Sequence, residues 1–487
     1  MSSSTAPSGQ SGTATAHRGA ILTVILCVQL LSAIDITVMN MALPKIQHSL
    51  DVSPTALSWV LNAYTLAYGG FLLLGGRMGD ILGSRKALMT GVALFTVASF
   101  AGGCAQETWW LLTARVFQGL GAALALPSTM ALIVRTFTGQ EERTKALGIS
   151  VMASGIGSTG GLLLGGVLTD LASWRWVLFI NVPIGIAVLA LTPRLIARAE
   201  PQGGRFDGGG ALLGTAGMSA VVYGFVHAAD EGWSNTVTVG SFVLGFVLLC
   251  LLVRVESRHA QPILNLGLFT NRNRAGGFLV FVCSGGAMFG MFFFLTQFVQ
   301  NVLDMNPIQA GLAFLPMSLG MIVVPRTLTP RLVKRYSPKT SMVTGLIMVA
   351  AGMVWLTRIS ASTGYFSGIM VPMLLAGAGV GLLNSPLAAT ILADVPPKEA
   401  GGASGALQTV GMIGGSIGTA VLVTVFGSAI RSHGGTATKS VLADSIATTC
   451  FGGLAFAVVG LLLVLLVIRT KKPGPAQQVT PQAARAA

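Results

Sequence analysis

Long apolar runs follow one another along almost the whole chain, and this feature limits most strongly how it can fold. Hydrophobic residues make up 52% of the 487 residues, and charged residues make up only 9%. A soluble domain carries about 25% charged residues, so this chain has too little charge to cover a surface in water. A bilayer removes that requirement, because the outside of the protein then faces lipid. The composition therefore indicates a membrane protein with no sizeable soluble domain.

The apolar runs are long enough to cross a bilayer as helices. One crossing needs about 20 apolar residues, and the runs are continuous rather than alternating, which favours helices over a β-barrel. The predicted spans cover residues 19–43, 57–79, 87–105, 108–134, 144–168, 174–194, 208–229, 236–254, 275–300, 308–328, 340–358, 366–392, 400–429 and 446–468. The predicted fold class is an all-α polytopic membrane protein with fourteen transmembrane helices.

The basic residues predict the orientation. An even number of spans puts both termini on one side of the membrane. Arg115 lies inside a span, and five basic residues lie on the side opposite the termini: Lys45, Arg175, Arg358, Arg431 and Lys439. The remaining 24 of the 30 Lys and Arg residues lie on the side of the termini. Because basic loops stay cytoplasmic, we expect both termini in the cytoplasm of a plasma-membrane protein. This asymmetry also explains the net charge without a nucleic-acid partner.

Spans five and thirteen resemble each other at a fixed offset. The matching pairs are Glu142/Glu399, Gly148/Gly405, Gly157/Gly414 and Gly161/Gly418. Parallel repeats are one design of secondary transporters, with the substrate path between the repeats. The predicted organisation is a disordered cytoplasmic tail (1–18), a six-helix bundle (19–195), an inserted helix pair with its linkers (196–274), a second six-helix bundle (275–470) and a cytoplasmic tail (471–487). We expect a monomer.

Two charged residues stand out inside the spans. Asp35 is the only acidic residue well inside a span, and Arg115 is the only basic residue deep in one. A charge in the bilayer core is costly, so such residues usually face a cavity and have a partner. At about 1.5 Å per residue, both lie about 10–12 Å from the ends of their spans that face away from the termini. We therefore predict a direct or water-bridged pair, with Gln118 on the same helix face as Arg115.

A carboxyl group in the membrane suits proton exchange. Burial disfavours the charged form of a carboxylate, whereas a nearby cation favours it. Asp35 can therefore change its protonation state with its surroundings, which is what proton-for-solute exchange requires. A purely structural ion pair between Asp35 and Arg115 is the alternative.

Other polar residues in the spans are candidates for the wall of a substrate cavity, although each could equally hydrogen-bond a neighbouring helix. They are Asn40, Asn62, Tyr64, Gln118, Gln297, Gln300, Asn384 and Gln408. The Met- and Phe-rich stretch 288–294 would supply an adaptable apolar wall. Together these features predict small hydrophobic substrates.

Glycine patterns mark two further motifs. The loop after span two contains Gly76, Asp80, Gly83 and Arg85, which is typical of a tight turn that links two helices. Span five contains Gly157, Gly161, Gly165 and Gly166, and small residues four apart let two helices approach closely. The chain has no phosphate-binding loop, and its five cysteines lack metal-type spacing. We predict no cofactor, no metal site and no catalytic residues.

These motifs together resemble the fourteen-helix drug:proton antiporter branch of the major facilitator superfamily. The similarity runs over the whole chain and is carried by residues 35–44, the loop with Asp80, Gly83 and Arg85, residues 115–123 with Pro127, residues 157–166, and residues 174–185. Leu162 stands where the family's helix-five motif has a proline. Ile81 and Ser84 replace basic residues often found in the loop motif.

The resemblance implies two six-helix bundles plus two inserted helices, alternating access, and proton-driven export of drugs or antibiotics. Asp35 and Arg115 would serve proton coupling, Asp80 and Arg85 would gate the cytoplasmic side, and Gly157, Gly161 and Gly165 would form the flexible helix. Three alternatives remain open: a dedicated exporter of one endogenous metabolite or antibiotic, a proton-linked importer, and a membrane-embedded enzyme or sensor.

Overall fold

The structure is a computed structural model that describes residues 10–53, 56–137, 140–197, 208–257, 271–393, 400–433 and 438–469. Its regular elements are helices: α1 (Gln10–Leu50), α2 (Trp59–Leu82), α3 (Ser84–Gly103), α4 (Thr108–Thr136), α5 (Gln140–Leu171), α6 (Trp176–Phe179), α7 (Asn181–Leu195), α8 (Gly208–Glu231), α9 (Thr236–Glu256), α10 (Arg272–Asn301), α11 (Pro307–Ala313), α12 (Leu315–Arg335), α13 (Pro338–Leu356), α14 (Val371–Leu392), α15 (Ala400–Ser432) and α16 (Lys439–Leu466). A 3₁₀ turn (Ala56–Ser58) precedes α2, and a π-helical turn (Phe366–Met370) precedes α14.

The predicted all-α fold is confirmed. Every predicted span falls on one helix or on two helices in sequence. Among the described residues, 11 helices are long and apolar enough to cross a membrane. Two shorter apolar segments, Ile156–Leu171 and Leu212–Ala228, lie within α5 and α8. Length and hydropathy alone therefore leave the number of crossings open.

Several helix boundaries differ from the prediction. Helix α1 begins at Gln10, so part of the segment predicted as a disordered tail is helical. This stretch has no proline, and glycine costs a helix only about 1 kcal/mol. The predicted spans 174–194 and 308–328 are each broken, at Ile180 and at Phe314. The C-terminal tail, 471–487, lies outside the described residues.

Glycines bring α5 against α1. A methyl group on Gly165 would lie 2.9 Å from Val38 Cα, and one on Gly161 would lie 3.1 Å from Ile34 Cα. Gly157 faces Leu30 and Ala33 in the same way. These distances leave no room for a side chain, so the two helix backbones touch along this seam.

The same seam recurs between α15 and α10. A methyl group on Gly414 would lie 2.6 Å from Val282 Cα, and one on Gly418 would lie 2.0 Å from Gly286 Cα. The glycines that match in sequence therefore make matching helix contacts. Glu399, from the same sequence repeat, lies outside the described residues.

The first half (α1–α7) and the second half (α10–α16) meet at one end of the molecule, which we call the closed end. There the Gln300 side-chain amide donates to the Met41 carbonyl oxygen over 3.1 Å. A methyl group on Gly166 would lie 2.3 Å from the Pro307 carbonyl oxygen, and one on Gly311 would lie 2.7 Å from that of Leu162. Helices α5 and α11 are therefore in backbone contact across the two halves.

Helices α2 and α15 form a second contact between the halves, and the inserted helix α8 packs against both. The hydroxyl oxygens of Thr65 and Ser416 are 2.5 Å apart, and the Tyr68 hydroxyl donates to Gln408 over 3.3 Å. From the inserted pair, the Phe225 carbonyl oxygen accepts a hydrogen bond of 2.6 Å from Thr424. Helix α8 thus covers this side of the boundary between the halves.

The glycine seams generate a stability prediction. Gly418→Ala places a methyl group against backbone that cannot rotate away, and overpacking of this kind costs about 1–3 kcal/mol. We expect a lower apparent Tm for the purified protein, measured by thermal unfolding in detergent. Gly160→Ala is the control, because no atom lies within 4 Å of a methyl group there. Equal apparent Tm values for the two variants would contradict this packing.

Candidate functional site

The centre of the site is a buried ion pair between α1 and α4. Arg115 Nη1 lies 2.6 Å from Asp35 Oδ2. The Asp35 side chain is 0% exposed and that of Arg115 is 1% exposed. Since neither charge reaches solvent, each depends on the other and on nearby hydrogen bonds for its stability.

Two amides complete the surroundings of the carboxylate. Asp35 Oδ1 accepts from Gln118 Nε2 over 3.2 Å and from Asn181 Nδ2 over 2.8 Å. Gln118 Nε2 also donates to the Ser99 hydroxyl over 2.7 Å. Helices α3, α4 and α7 therefore each supply a residue to a network that begins on α1.

Arg115 is held from further sides. Its Nε donates to the Val60 carbonyl oxygen over 3.0 Å, and its Nη1 also donates to Gln118 Oε1 over 3.0 Å. Its guanidinium lies over the Tyr64 ring, 4.5 Å from the ring centroid. The Tyr64 hydroxyl in turn lies 3.1 Å from that of Ser32. The cation–π contact and the hydrogen bonds that the guanidinium donates hold it in one orientation.

The charge balance of this site depends on both side chains. With Asp35 ionised, the pair carries no net charge. A proton on Asp35 leaves Arg115 as an uncompensated buried charge, so the helices that carry the two groups must readjust. The neighbouring residues Ile34 and Thr37 lie in the α1–α5 seam, which places the pair beside this close contact between two helices.

Among the described residues, the second half has no counterpart of this network. Ile34 lies opposite Gly161, and Gly286 lies opposite Gly418, so the residue of α10 that corresponds to Asp35 is Ala287. Ala287 lines a small apolar cavity of about 10 Å³, together with Met288, Met291 and Met353. The charged site therefore belongs to one half only, within the part of the chain that the structure describes.

The predicted cavity residues do not form one wall. Tyr64 and Gln118 are 0% exposed and belong to the ion-pair network rather than to a cavity surface, because they supply the ring and the donors that a buried charge requires. Asn40, Asn62 and Gln297 are also buried.

Three predicted cavity residues are less enclosed. Gln300 and Gln408 make hydrogen bonds between the two halves, as described above. Asn384 is half-buried on α14, and its Oδ1 has no hydrogen-bond partner among the described residues. Asn40 Oδ1 and Asn62 Nδ2 likewise have no hydrogen-bond partner among the described residues.

The loop motif forms a turn between α2 and α3. Gly83 has φ +86°, a conformation that strongly favours glycine. A methyl group on Gly76 would lie 3.7 Å from Pro127 Cβ, which is ordinary contact. Arg85 is half-buried in the first turn of α3. The Asp80 side chain lies outside the described part of the structure.

Sequence reasoning missed Asn181 and Ser99 as members of the site. Asn181 lies in the motif at residues 174–185. Its position as a polar residue at the start of an apolar helix could have indicated a role in the site. Ser99 gives no such signal, because a lone serine in a transmembrane helix usually bonds its own backbone. Asn181 is 0% exposed.

The fold and the site define an all-helical integral membrane protein with two halves and a buried ion pair in the first half. The chain belongs to the Major Facilitator Superfamily, whose family model matches residues 25–419. The resemblance to this superfamily is therefore confirmed, and membership indicates a transporter.

Named relatives resemble the chain over most of its length. The puromycin resistance protein pur8 of Streptomyces alboniger is 40% identical over 92% of this chain and 90% of its own. The cephamycin export protein CmcT of Amycolatopsis lactamdurans is 38% identical over 83% and 84%. The multidrug efflux pump LfrA of Mycolicibacterium smegmatis is 34% identical over 85% and 81%.

Solved structures share the fold at low identity. A bacterial homolog of the human lysosomal transporter Spinster, in an inward-facing and unoccupied conformation, has a TM-score of 0.67 at 16% identity and covers 93% of this chain and 97% of its own. An auto-inhibited POT family peptide transporter has a TM-score of 0.68 at 14% identity, with 94% and 99% covered.

The ion pair generates a second stability prediction. Arg115→Gln leaves Asp35 buried without its cation, and breaking a buried pair in this way costs about 3–5 kcal/mol. Combining Arg115→Gln with Asp35→Asn removes both charges, so we expect the double variant to unfold at a higher apparent Tm than Arg115→Gln alone. Additive losses in a double-mutant cycle would show that the two side chains do not interact.

Proposed function

We propose that this transporter exports hydrophobic drugs or antibiotics from the cytoplasm in exchange for protons. The names of the relatives, which describe resistance, export and multidrug efflux, support the substrate class. The buried Asp35–Arg115 pair carries the proposal of proton coupling, since it places a carboxyl group at membrane depth in a network of contacts that extends to four other helices.

The proposed cycle follows from the position of the pair. Asp35 takes up a proton from the outside, the loaded protein turns inward, and proton release to the cytoplasm accompanies substrate binding. The voltage part of the driving force is worth about 2.3 kcal/mol per charge per 100 mV. Because Asp35 lies on the stretch of α1 that packs against α5, and this contact continues through Gly165 to Met41 at the closed end, a change at the pair can reach the contact between the halves.

We further propose fourteen crossings, with both termini in the cytoplasm and the closed end outside. At the opposite end, basic side chains donate to the last carbonyl groups of helices. Lys339 reaches Leu465 and Ile468, each over 2.8 Å, and Arg274 reaches Ile391 over 3.2 Å. Cations favour helix C-termini and cytoplasmic loops, so both preferences support this orientation.

A dedicated exporter of one metabolite or antibiotic is the second candidate. The cephamycin export protein, a relative named for a single compound, supports it. Both candidates predict the same coupling residue and differ only in how many compounds are exported.

The test uses inverted membrane vesicles energised by respiration, in which efflux substrates collapse the proton gradient. We expect several hydrophobic compounds from a panel of cations and neutral antibiotics to collapse it in wild type, and Asp35→Asn to abolish the response. Asp304→Asn is the control, because Asp304 is an exposed acid paired with Lys439 at the closed end.

Each outcome separates the candidates. A response to several compounds supports multidrug efflux, and a response to one compound supports a dedicated exporter. If Asp35→Asn responds as wild type does, the carboxylate is structural and the proposed coupling is wrong.

A further inference from the structure

We propose that Asn181 is the partner that adapts to the protonation state of Asp35, by rotating its amide between donating and accepting. The inference rests on the proposed function, because it assumes that Asp35 exchanges protons. It assigns a positioning role to a residue at the start of α7.

Two amides donate to the same carboxylate oxygen, but only one of them is free to change. Gln118 uses both of its ends, because its Oε1 accepts from Arg115 and its Nε2 donates to Ser99 as well as to Asp35. Asn181 uses only Nδ2, over 2.8 Å. Its Oδ1 is buried and has no hydrogen-bond partner among the described residues.

A buried carbonyl oxygen without a hydrogen-bond partner destabilises the folded protein, so its presence calls for an explanation. Protonation of Asp35 supplies one. Arg115 donates to Oδ2, so the added proton binds to Oδ1 and turns that oxygen into an O–H donor. This new donor needs an acceptor.

The surroundings offer one acceptor of the right kind. Arg115 has donors only, and the Gln118 oxygen is already engaged. The titratable and charged groups that face Asp35 are Arg115 on α4 and Tyr64 on α2, whereas α3 and α7 contribute the neutral Ser99 and Asn181. Rotation of the Asn181 amide by about 180° about its χ2 bond, which is soft and roughly two-fold, brings its oxygen to the acid proton.

In the ionised state, therefore, the Asn181 nitrogen donates to the carboxylate. In the protonated state, its oxygen accepts from the acid. A residue that stabilises both states lets Asp35 gain and lose its proton without leaving a buried group unpaired, whereas a fixed donor such as Gln118 favours the ionised state alone.

The test is a pH titration of the full-length protein in lipid, with infrared difference spectra recorded at each pH. In wild type we expect the carboxylic-acid band of Asp35 to appear together with a change in a side-chain amide carbonyl band. Asn181→Leu should abolish the amide change. Gln118→Met should keep the amide change, because both ends of the Gln118 amide are already engaged.

Two variants serve as controls. Asn181→Ser keeps a hydroxyl that can donate or accept, so it should keep the carboxylic-acid band and lose the amide change even if Asn181→Leu folds poorly. Thr192→Val removes a buried hydroxyl that bonds only within α7, and it should change neither signal.

The outcomes distinguish this inference from the proposed function. If the acid band persists in Asp35→Asn, Asp35 is not the titrating group, and the proposed coupling fails. If Asp35 titrates but the amide change survives in Asn181→Leu, only the role of Asn181 is wrong. Loss of the amide change in Gln118→Met would also overturn it, since Gln118 would then be the amide that rotates.

Discussion

The buried pair of Asp35 and Arg115 is the interaction on which the rest of the first half depends. A single charge at this depth would be expensive, and the structure offsets the cost with a partner charge, two amides, a backbone carbonyl and an aromatic ring. These groups come from helices that are distant in sequence. The pair therefore specifies how α1, α2, α3, α4 and α7 pack, and a change in its charge acts on all of them at once.

The second half shows what the same packing looks like without a charge. The glycine contacts of α5 with α1 recur between α15 and α10, yet the place of Asp35 is taken by Ala287 beside a small apolar cavity. The two halves thus share a scaffold and differ in chemistry. A first half with a buried ion pair and a second half with apolar packing fit the proposed cycle, in which one half senses protons and both enclose the substrate.

The fold could be predicted from the sequence because its main signals are local. Runs of apolar residues predict the helices, and the spacing of Gly157 and Gly161 predicts close packing of α5 against another helix. The depth of Asp35 and Arg115 could be predicted from their positions in two spans. The helix breaks at Ile180 and Phe314 are harder to predict. Pro183 and Pro316 follow them within three residues and lack the N–H that continues a helix, but a proline also lies inside the unbroken helix α4, at Pro127.

The composition of the site was harder to predict. Polar residues such as Tyr64 and Gln118 were indistinguishable in sequence from residues of a cavity wall, since both kinds are isolated polar groups in apolar helices. Only the packing shows that they serve the ion pair. Asn181 belongs to the site because the break before α7 aims its side chain at α1, and no local pattern records that direction.

The most direct test of proton coupling through Asp35 is the pH dependence of substrate affinity in the purified protein. Proton and substrate binding are linked reciprocally. If substrate binding releases a proton from Asp35, substrate affinity must therefore fall as the pH falls. The account predicts that wild-type affinity falls with pH and that Asp35→Asn affinity does not change with pH. A pH dependence that persists unchanged in Asp35→Asn would contradict it.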